Sequence, residues 1–312
     1  MWIDRFQRLG LLIFLFLMSA FFGCMSPYFA TWENLANILV QSAVLIIVGI
    51  GMILVIATAG IDLSIGSVLA LSGIVMAASM KAGLGILAGI FAGVLTGVLM
   101  GLFNGLGTAV LGISPFIVTL GAAGIYRALA LIATDARPIY GLPVAFRVVA
   151  TGHLGPFPLP AVFAFAVVGL AALIIGWTRF GINVRAVGDN AVGAFRMGVP
   201  VRGVLISVYM ISGATAALAS IVVTARLNTA EAIAGLGMEL EAIAAVVMGG
   251  TSFFGGESSI SGTLLGALII GTLANGLTLV NVPSYYQQLV IGAVFILAVM
   301  ADKMRRQATN TF

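Results

Sequence analysis

Hydrophobic residues in this chain occur in long blocks that are separated by short polar or glycine-rich links. A helix needs about 20 apolar residues to cross the roughly 30 Å hydrocarbon core of a bilayer, and several blocks reach that length. The pattern therefore predicts an all-α polytopic membrane protein with about ten transmembrane helices, forming a single transmembrane domain over residues 1–312. The predicted segments are Leu9–Ser26, Leu35–Ala59, a segment after Ser67 that ends near Met80, Leu84–Leu111, Phe116–Ala133, Ala161–Trp177, Val204–Ala225, Met238–Gly250, Gly262–Val280 and Tyr285–Ala301.

The third and eighth of these segments are short, so we expect that they are broken or re-entrant rather than continuous. A Gly-x-x-Asn-Gly-Leu sequence at Gly101–Leu106 is nearly repeated at Gly271–Leu277, with one more residue between Gly and Asn. This similarity alone is too short to establish an internal repeat.

The fourth segment carries a glycine at every fourth position, namely Gly85, Gly89, Gly93, Gly97, Gly101 and Gly105. A step of four residues advances a helix by about 400°, so the row drifts by about 40° per step around the helix. Small residues at this spacing let helices approach closely in lipid. We therefore predict a crowded central helix whose glycine row contacts more than one neighbour.

Composition and charge support the membrane assignment and suggest an orientation. The chain is 61% hydrophobic and 8% charged, with a mean hydropathy of +1.20. With a cytoplasmic N-terminus and ten crossings, nine basic residues fall inside and four outside, which agrees with the positive-inside rule and places both termini in the cytoplasm. The inner residues are Arg5, Arg8, Arg179, Arg185, Arg196, Arg202, Lys303, Arg305 and Arg306, and the outer ones are Lys81, Arg137, Arg147 and Arg226.

Several kinds of chemistry are missing from the sequence. The two lysines, Lys81 and Lys303, do not lie in a Gly-Lys-Ser/Thr context, so the chain has no Walker A loop and no ATP site of its own. With one histidine, His153, and one cysteine, Cys24, a metal site or a Cys–His pair is implausible. Because the net charge of +4 lies at membrane boundaries, it indicates topology rather than nucleic-acid binding. We therefore predict a protein without catalytic, metal or cofactor sites.

Charged residues in or beside the apolar segments are candidates for function, because burying a charge in the bilayer costs about 2.5–3.5 kcal/mol or more. Asp62 precedes Leu63-Ser64-Ile65 as a helix N-cap would, and Arg127 is predicted to snorkel or to pair with an acid. Glu239 and Glu241 are about 200° apart on a helix, so they cannot form a carboxylate pair on one face. Our candidate pathway or gating residues are Asp62, Ser64, Asn104, Arg127, Glu239 and Asn275.

Trp177–Gly203 is a polar island between two apolar segments. Within it, Asp189 is predicted to cap a short helix, Ala191–Met197, which Gly198 and Pro200 would end. About two turns of helix are unstable alone in water, so the membrane face, the rest of the chain or a partner must hold them. An ordinary cytoplasmic loop is the alternative interpretation.

The chain resembles the ribose-type sugar permeases, which are the membrane subunits of bacterial carbohydrate ABC importers. The resemblance covers nearly the whole chain in order. It rests on Gly60–Ser67, Phe116–Gly121, Thr178–Gly181, Ala186–Asn190, Gly237–Ser252, Gly255-Gly256, Gly262-Thr263 and Asn275–Leu277.

The resemblance implies an ABC importer permease fold in the bacterial inner membrane. It also implies a second permease subunit, two ATPase subunits that bind ATP and Mg, and a periplasmic sugar-binding protein. The implied ATPase-coupling loop contains Arg179, Arg185, Asp189, Asn190, Ala191, Ala194, Arg196 and Gly198, and the candidate contacts for the binding protein are Arg137, Arg147 and Arg226. The alternative is a stand-alone secondary transporter or channel that uses the membrane-embedded acids for ion coupling.

Overall fold

A computed structural model of the chain describes residues 2–309, with the side chains of residues 8–300 and 302–304. The described chain is mainly helical, and each of the ten predicted apolar segments corresponds to one helix, so the predicted all-α polytopic fold is confirmed. The helices are α1 (Trp2–Met25), α2 (Trp32–Ala57), α3 (Ile65–Lys81), α4 (Ile86–Ala109), α5 (Pro115–Thr134), α6 (Val144–Thr151), α7 (Leu159–Trp177), α8 (Arg179–Arg196), α9 (Val201–Leu227), α10 (Met238–Met248), α11 (Ile260–Leu279) and α12 (Ser284–Thr309). The strands are β1 (Ile139–Tyr140), β2 (His153–Leu154), β3 (Phe157–Pro158) and β4 (Thr229–Ala230).

Eight of the described helices are long and apolar enough to cross a membrane, namely α1, α2, α4, α5, α7, α9, α11 and α12. The other two apolar helices are shorter: α3 has 17 residues and α10 has 11. At about 1.5 Å per residue, α10 covers roughly 16 Å, which is about half of the hydrocarbon core. Non-helical segments at 58–64 and 228–237 precede α3 and α10, as expected for broken helices.

The centre of the bundle is α2. Every residue from Ser42 to Thr58 is buried, and this part of the sequence is apolar around the whole helix. A helix of that kind is stable only when other helices surround it. The surrounding helices are α7, α9, α10 and α11.

The glycine row of α4 contacts two neighbours, as its drift around the helix predicts. Gly89 and Gly93 face α3, whereas Gly97, Gly101 and Gly105 face α9. A Cβ on Gly93 would lie 2.9 Å from the Ser72 carbonyl oxygen, and one on Gly97 would lie 2.4 Å from that of Gly213. The predicted first member, Gly85, is an exception, because it precedes the helix with φ +87° and has no neighbouring atom within 4 Å.

Two groups of four helices pack in the same way, with α2–α5 matching α9–α12. The contacts of α4 with α9 match those of α11 with α2, and α3 lies between α4, α5 and α9 as α10 lies between α11, α12 and α2. Gly51 of α2 packs against Ser212 and Thr215 of α9, and Gly60, just after α2, packs against Tyr209. The helices α2 and α9 are therefore antiparallel, and the two groups run in opposite directions across the membrane. The two similar Gly/Asn sequences lie on the equivalent helices α4 and α11, so the structure contains the inverted repeat that the sequence alone could not establish.

The connecting segments gather at the two ends of the bundle. At the α8 end, Arg8 and Arg185 line one cavity with Glu257, and Phe253 N donates to Asp302 Oδ2 over 3.0 Å. At the opposite end, which we call the ribbon end, β1 pairs with β4 and joins the links 134–160 and 226–237. The first of these links contains α6 and the strands β1, β2 and β3. Arg5, Arg305 and Arg306, which the charge count assigned to the cytoplasm, lie outside the described side chains.

Candidate functional site

The break between α2 and α3 contains a buried carboxylate. Asp62 is 1% exposed; its Oδ1 accepts from Ser64 N over 3.0 Å and from Ser64 Oγ over 2.7 Å, and its Oδ2 accepts from Ser212 Oγ on α9 over 2.8 Å. The prediction that Asp62 caps α3 is wrong, because Ser64 occupies the N-cap position and Asp62 instead forms a local turn with it. Hydrogen bonds of this kind offset the cost of enclosing the carboxylate.

Further hydrogen bonds extend this network to α4 and α5. Asn104 Nδ2 donates to Ser64 Oγ over 2.8 Å, and Tyr126 Oη donates to Asn104 Oδ1 over 3.1 Å. The Ile61 carbonyl, which has no helical partner, accepts from Thr119 Oγ1 over 3.1 Å. The structure therefore unites the predicted residues Asp62, Ser64 and Asn104 but encloses them, so in this conformation they hold helices together and do not line an open surface.

The other members of the network, Ser212, Tyr126 and Thr119, were not predicted from the sequence. Each is an uncharged polar residue within an apolar segment, and such residues are common in membrane helices. The only feature of the sequence that could have identified these three residues was their position inside a membrane-spanning segment. Their partners became visible only in the tertiary structure; Ser212, for example, is 150 residues away from Asp62.

The second break, residues 228–237, is held by Arg127 of α5. Arg127 Nη1 donates to the carbonyl oxygens of Ala232 and, over 2.8 Å, Ala234. Backbone groups outside a helix must find partners when water is absent, and the guanidinium supplies them here. Arg127 therefore neither snorkels nor forms a close ion pair, although Glu239 is near enough to interact with it electrostatically.

Glu239 and Glu241 are in the first turn of α10, where the helix dipole favours acids. Both side chains are half-buried and lie beside the second break. Asn275 is separate from these groups: its Nδ2 donates to Asn34 Oδ1 over 2.9 Å, which attaches α11 to the start of α2. The six predicted pathway residues thus divide into three sites, and of the three only the site around Glu239 is partly open.

The arginine-rich island forms a helix, α8, that is broken at Asn190 (φ −155°, ψ 96°). Asn190 Oδ1 accepts from Gly193 N over 2.8 Å, so Asn190 is the cap of the second half. The prediction of Asp189 as this cap is wrong by one residue, and the first half, which begins at Arg179, was not predicted. Gly198 follows the helix with φ +86°, as expected for a stop.

The second half of α8 presents an apolar outer face. Val192, Phe195 and Met197 are exposed, whereas Ala194 is buried against the bundle. Ala191, Val192 and Phe195 line an open cavity of about 650 Å³ between α4, α8 and α9. Among the arginines, Arg179 and Arg196 are exposed and Arg185 is half-buried.

The first half of α8 contacts the end of α2 directly. A Cβ on Gly188 would lie 1.8 Å from the Ala57 carbonyl oxygen and 2.7 Å from Gly256 N. Gly256 N donates to the same Ala57 oxygen over 3.0 Å. We call this three-way contact the glycine junction, and it lies five residues before Asp62.

Arg137, Arg147 and Arg226 are all exposed at the ribbon end. The β1–β4 pair brings their two links together, with Ile139 opposite Ala230. The three candidate contacts for a binding protein therefore lie on the face opposite α8.

An inverted repeat of apolar helices, two of them broken inside the bundle, is the architecture of a multi-spanning membrane transporter. A family model described as the permease component of branched-chain amino acid transport systems matches residues 34–299, and the chain belongs to this family. No solved structure matches the chain.

Relatives of the chain are similar over almost their full length. The D-allose transport system permease protein AlsC of Escherichia coli (strain K12) is 41% identical over 96% of this chain and 92% of its own. The ribose import permease protein RbsC of Bacillus subtilis (strain 168) is 40% identical over 96% of this chain and 94% of its own. The resemblance to ribose-type sugar permeases is thereby confirmed.

Proposed function

We propose that this chain is the membrane-spanning permease of an ATP-driven importer and forms the path for a sugar. The observation that carries the proposal is the similarity to sugar permeases over nearly the full length of the chain. The fold agrees with it, because the two breaks, before α3 and before α10, meet inside the membrane. Membership of this family makes the chain a transporter component rather than an enzyme and implies ATPase and binding-protein partners. The finer assembly that we propose has two permease copies, two ATPase subunits that bind ATP and Mg, and a periplasmic binding protein.

Energy enters this chain through α8 in our proposal. The exposed apolar face of Val192, Phe195 and Met197, flanked by Arg196, is suited to burial against an ATPase subunit. Buried Ala194 and the Asn190 cap would hold that face rigidly on the bundle. We therefore place Arg179, Arg185, Asp189 and the residues from Asn190 to Gly198 at this contact.

The orientation follows from the charges. Because α8 and Arg8 lie at one end, we assign the α8 end to the cytoplasm of a bacterium and the ribbon end to the periplasm. Arg137, Arg147 and Arg226 would then face the binding protein. Asp62, Ser64 and Asn104 act in this proposal as a gate that must rearrange when the helices move, and Asn275 acts as an anchor.

Single cysteines in a Cys24-free background test the orientation. Val144 is 80% exposed at the ribbon end and Val192 is 63% exposed on α8. We expect Val144→Cys to react with an impermeant reagent added to the periplasmic side, and Val192→Cys to react only from the cytoplasmic side. The reverse pattern would overturn the orientation.

Reconstitution in proteoliposomes tests the function itself. We expect uptake of D-allose or ribose only when ATP, the ATPase subunits and a matching binding protein are all present. Uptake by this chain alone, driven by an ion gradient, would instead establish the stand-alone transporter.

A further inference from the structure

The non-helical segment before α10 runs from the ribbon end, where β4 lies, deep into the membrane. A Cβ on Gly66, in the first turn of α3, would lie 2.1 Å from the Gly235 carbonyl oxygen. Gly66 is 15 residues before Lys81 at the ribbon end, which corresponds to about 22 Å along the helix. Gly235 is therefore far inside a hydrocarbon core of roughly 30 Å.

The outer side of this segment is nevertheless uncovered. Ile233 is 63% exposed and Leu236 is 74% exposed, and Leu240 continues the same open surface into α10. Exposed apolar side chains on a regular helix would simply contact lipid. Here the backbone itself is irregular, and irregular backbone at this depth is tolerated only when it is buried in protein or lines a water-filled cavity.

Two acidic residues follow this segment directly, in the first turn of α10. These residues, Glu239 and Glu241, are partly exposed and lie on the two sides of Leu240. Acids at membrane depth face a cavity or a partner rather than lipid, because contact of a charged group with hydrocarbon is strongly unfavourable. The backbone and the acids thus exclude lipid from this surface independently.

We infer that the face formed by Ile233, Leu236 and Leu240, with Glu239 and Glu241 on its two sides, lines the water-filled path of the solute. This inference rests on the proposed function and assigns the part of the chain that the solute contacts. A neutral sugar offers hydroxyl groups as donors to a carboxylate at either side of this face, and its C–H faces match the apolar side chains of Ile233 and Leu236. The buried Asp62 network would then act behind this face and not on the solute.

Aqueous accessibility distinguishes this face from a lipid-facing one. In a Cys24→Ser background, Leu236→Cys is treated with an impermeant, positively charged methanethiosulfonate reagent. The matched control is Leu170→Cys, because Leu170 is 60% exposed in the middle of the regular helix α7. We expect labelling about a hundredfold faster at Leu236, because the charged reagent is excluded from hydrocarbon.

A second readout links the face to the solute. With the ATPase and the binding protein present, excess D-allose or ribose should slow the labelling of Leu236→Cys without changing that of Leu170→Cys. If Leu236→Cys does not insert, Ile233→Cys serves in its place, because its side chain belongs to the same face.

Two outcomes would overturn the inference. Labelling of Leu236→Cys only by a lipid-soluble maleimide, at the rate of Leu170→Cys, would mean that the face contacts lipid. A disulfide between two copies without aqueous labelling would mean that it is a dry interface. Labelling requires no transport, so failure of uptake by the unsubstituted chain would refute the proposed function separately.

Discussion

Replacing Gly188 by alanine tests whether α8 acts on the bundle through the glycine junction. The added Cβ would lie 1.8 Å from the Ala57 carbonyl oxygen, whereas real Cβ atoms essentially never approach within 3.0 Å. Both neighbours are backbone atoms and cannot rotate away. The first half of α8 must therefore move by about 1.2 Å or more, and overpacking of this kind typically costs about 1–3 kcal/mol.

The same movement weakens a hydrogen bond. Gly256 N donates to the Ala57 oxygen over 3.0 Å at the point where the new methyl group would lie. Losing one hydrogen bond costs a further 0.5–1.5 kcal/mol, approximately. Because a coupling free energy of about 1–3 kcal/mol corresponds to a 5–150-fold effect, we expect Gly188→Ala to reduce ATP-driven uptake by about tenfold or more.

The assay is sugar uptake together with ATPase stimulation by the loaded binding protein, in reconstituted complexes. Gly176→Ala is the matched control, because a Cβ on Gly176, near the end of α7, has no neighbouring atom within 4 Å. We expect both variants to assemble with the ATPase, with uptake reduced only in Gly188→Ala. Equal uptake and stimulation in the two variants would refute the view that the junction transmits the motion of α8.

Three further substitutions have specific expected results. Gly97→Leu should lower thermal stability and expression by preventing the approach of α4 to α9, whereas the volume-conserving Ile86→Leu should be tolerated; normal expression and melting of Gly97→Leu would contradict this. Asn190→Ala should destabilise the second half of α8 by about 0.5–2 kcal/mol and weaken the coupling of ATP hydrolysis to uptake more than Asp189→Ala does. Equal coupling in the two variants would contradict the assignment of Asn190 as the functional cap. Ser212→Ala should cost about 1–3 kcal/mol in an unfolding titration by removing a donor from the buried acid, and an unchanged midpoint would show that the bond contributes nothing.

Features that depend on local periodicity were predictable from the sequence. The apolar blocks predicted the positions of ten helices, because bilayer thickness sets the length of a membrane-spanning apolar segment. The drift of the glycine row predicted more than one neighbour, because it follows from helical geometry alone, and α3 and α9 are those neighbours. The resemblance to sugar permeases was also visible, since it depends on short motifs in a constant order.

The tertiary structure decided how the polar groups are satisfied. Asp62 was predicted as a local cap, but its second carboxylate oxygen binds Ser212, and Arg127 binds carbonyl groups more than 100 residues away rather than an acid. The cap of the second half of α8 is Asn190 rather than Asp189, because the helix breaks at Asn190, two residues after the glycine junction. Such partners cannot be read from spacing, because in a membrane interior a polar group binds whichever partner the packing of distant helices brings within reach.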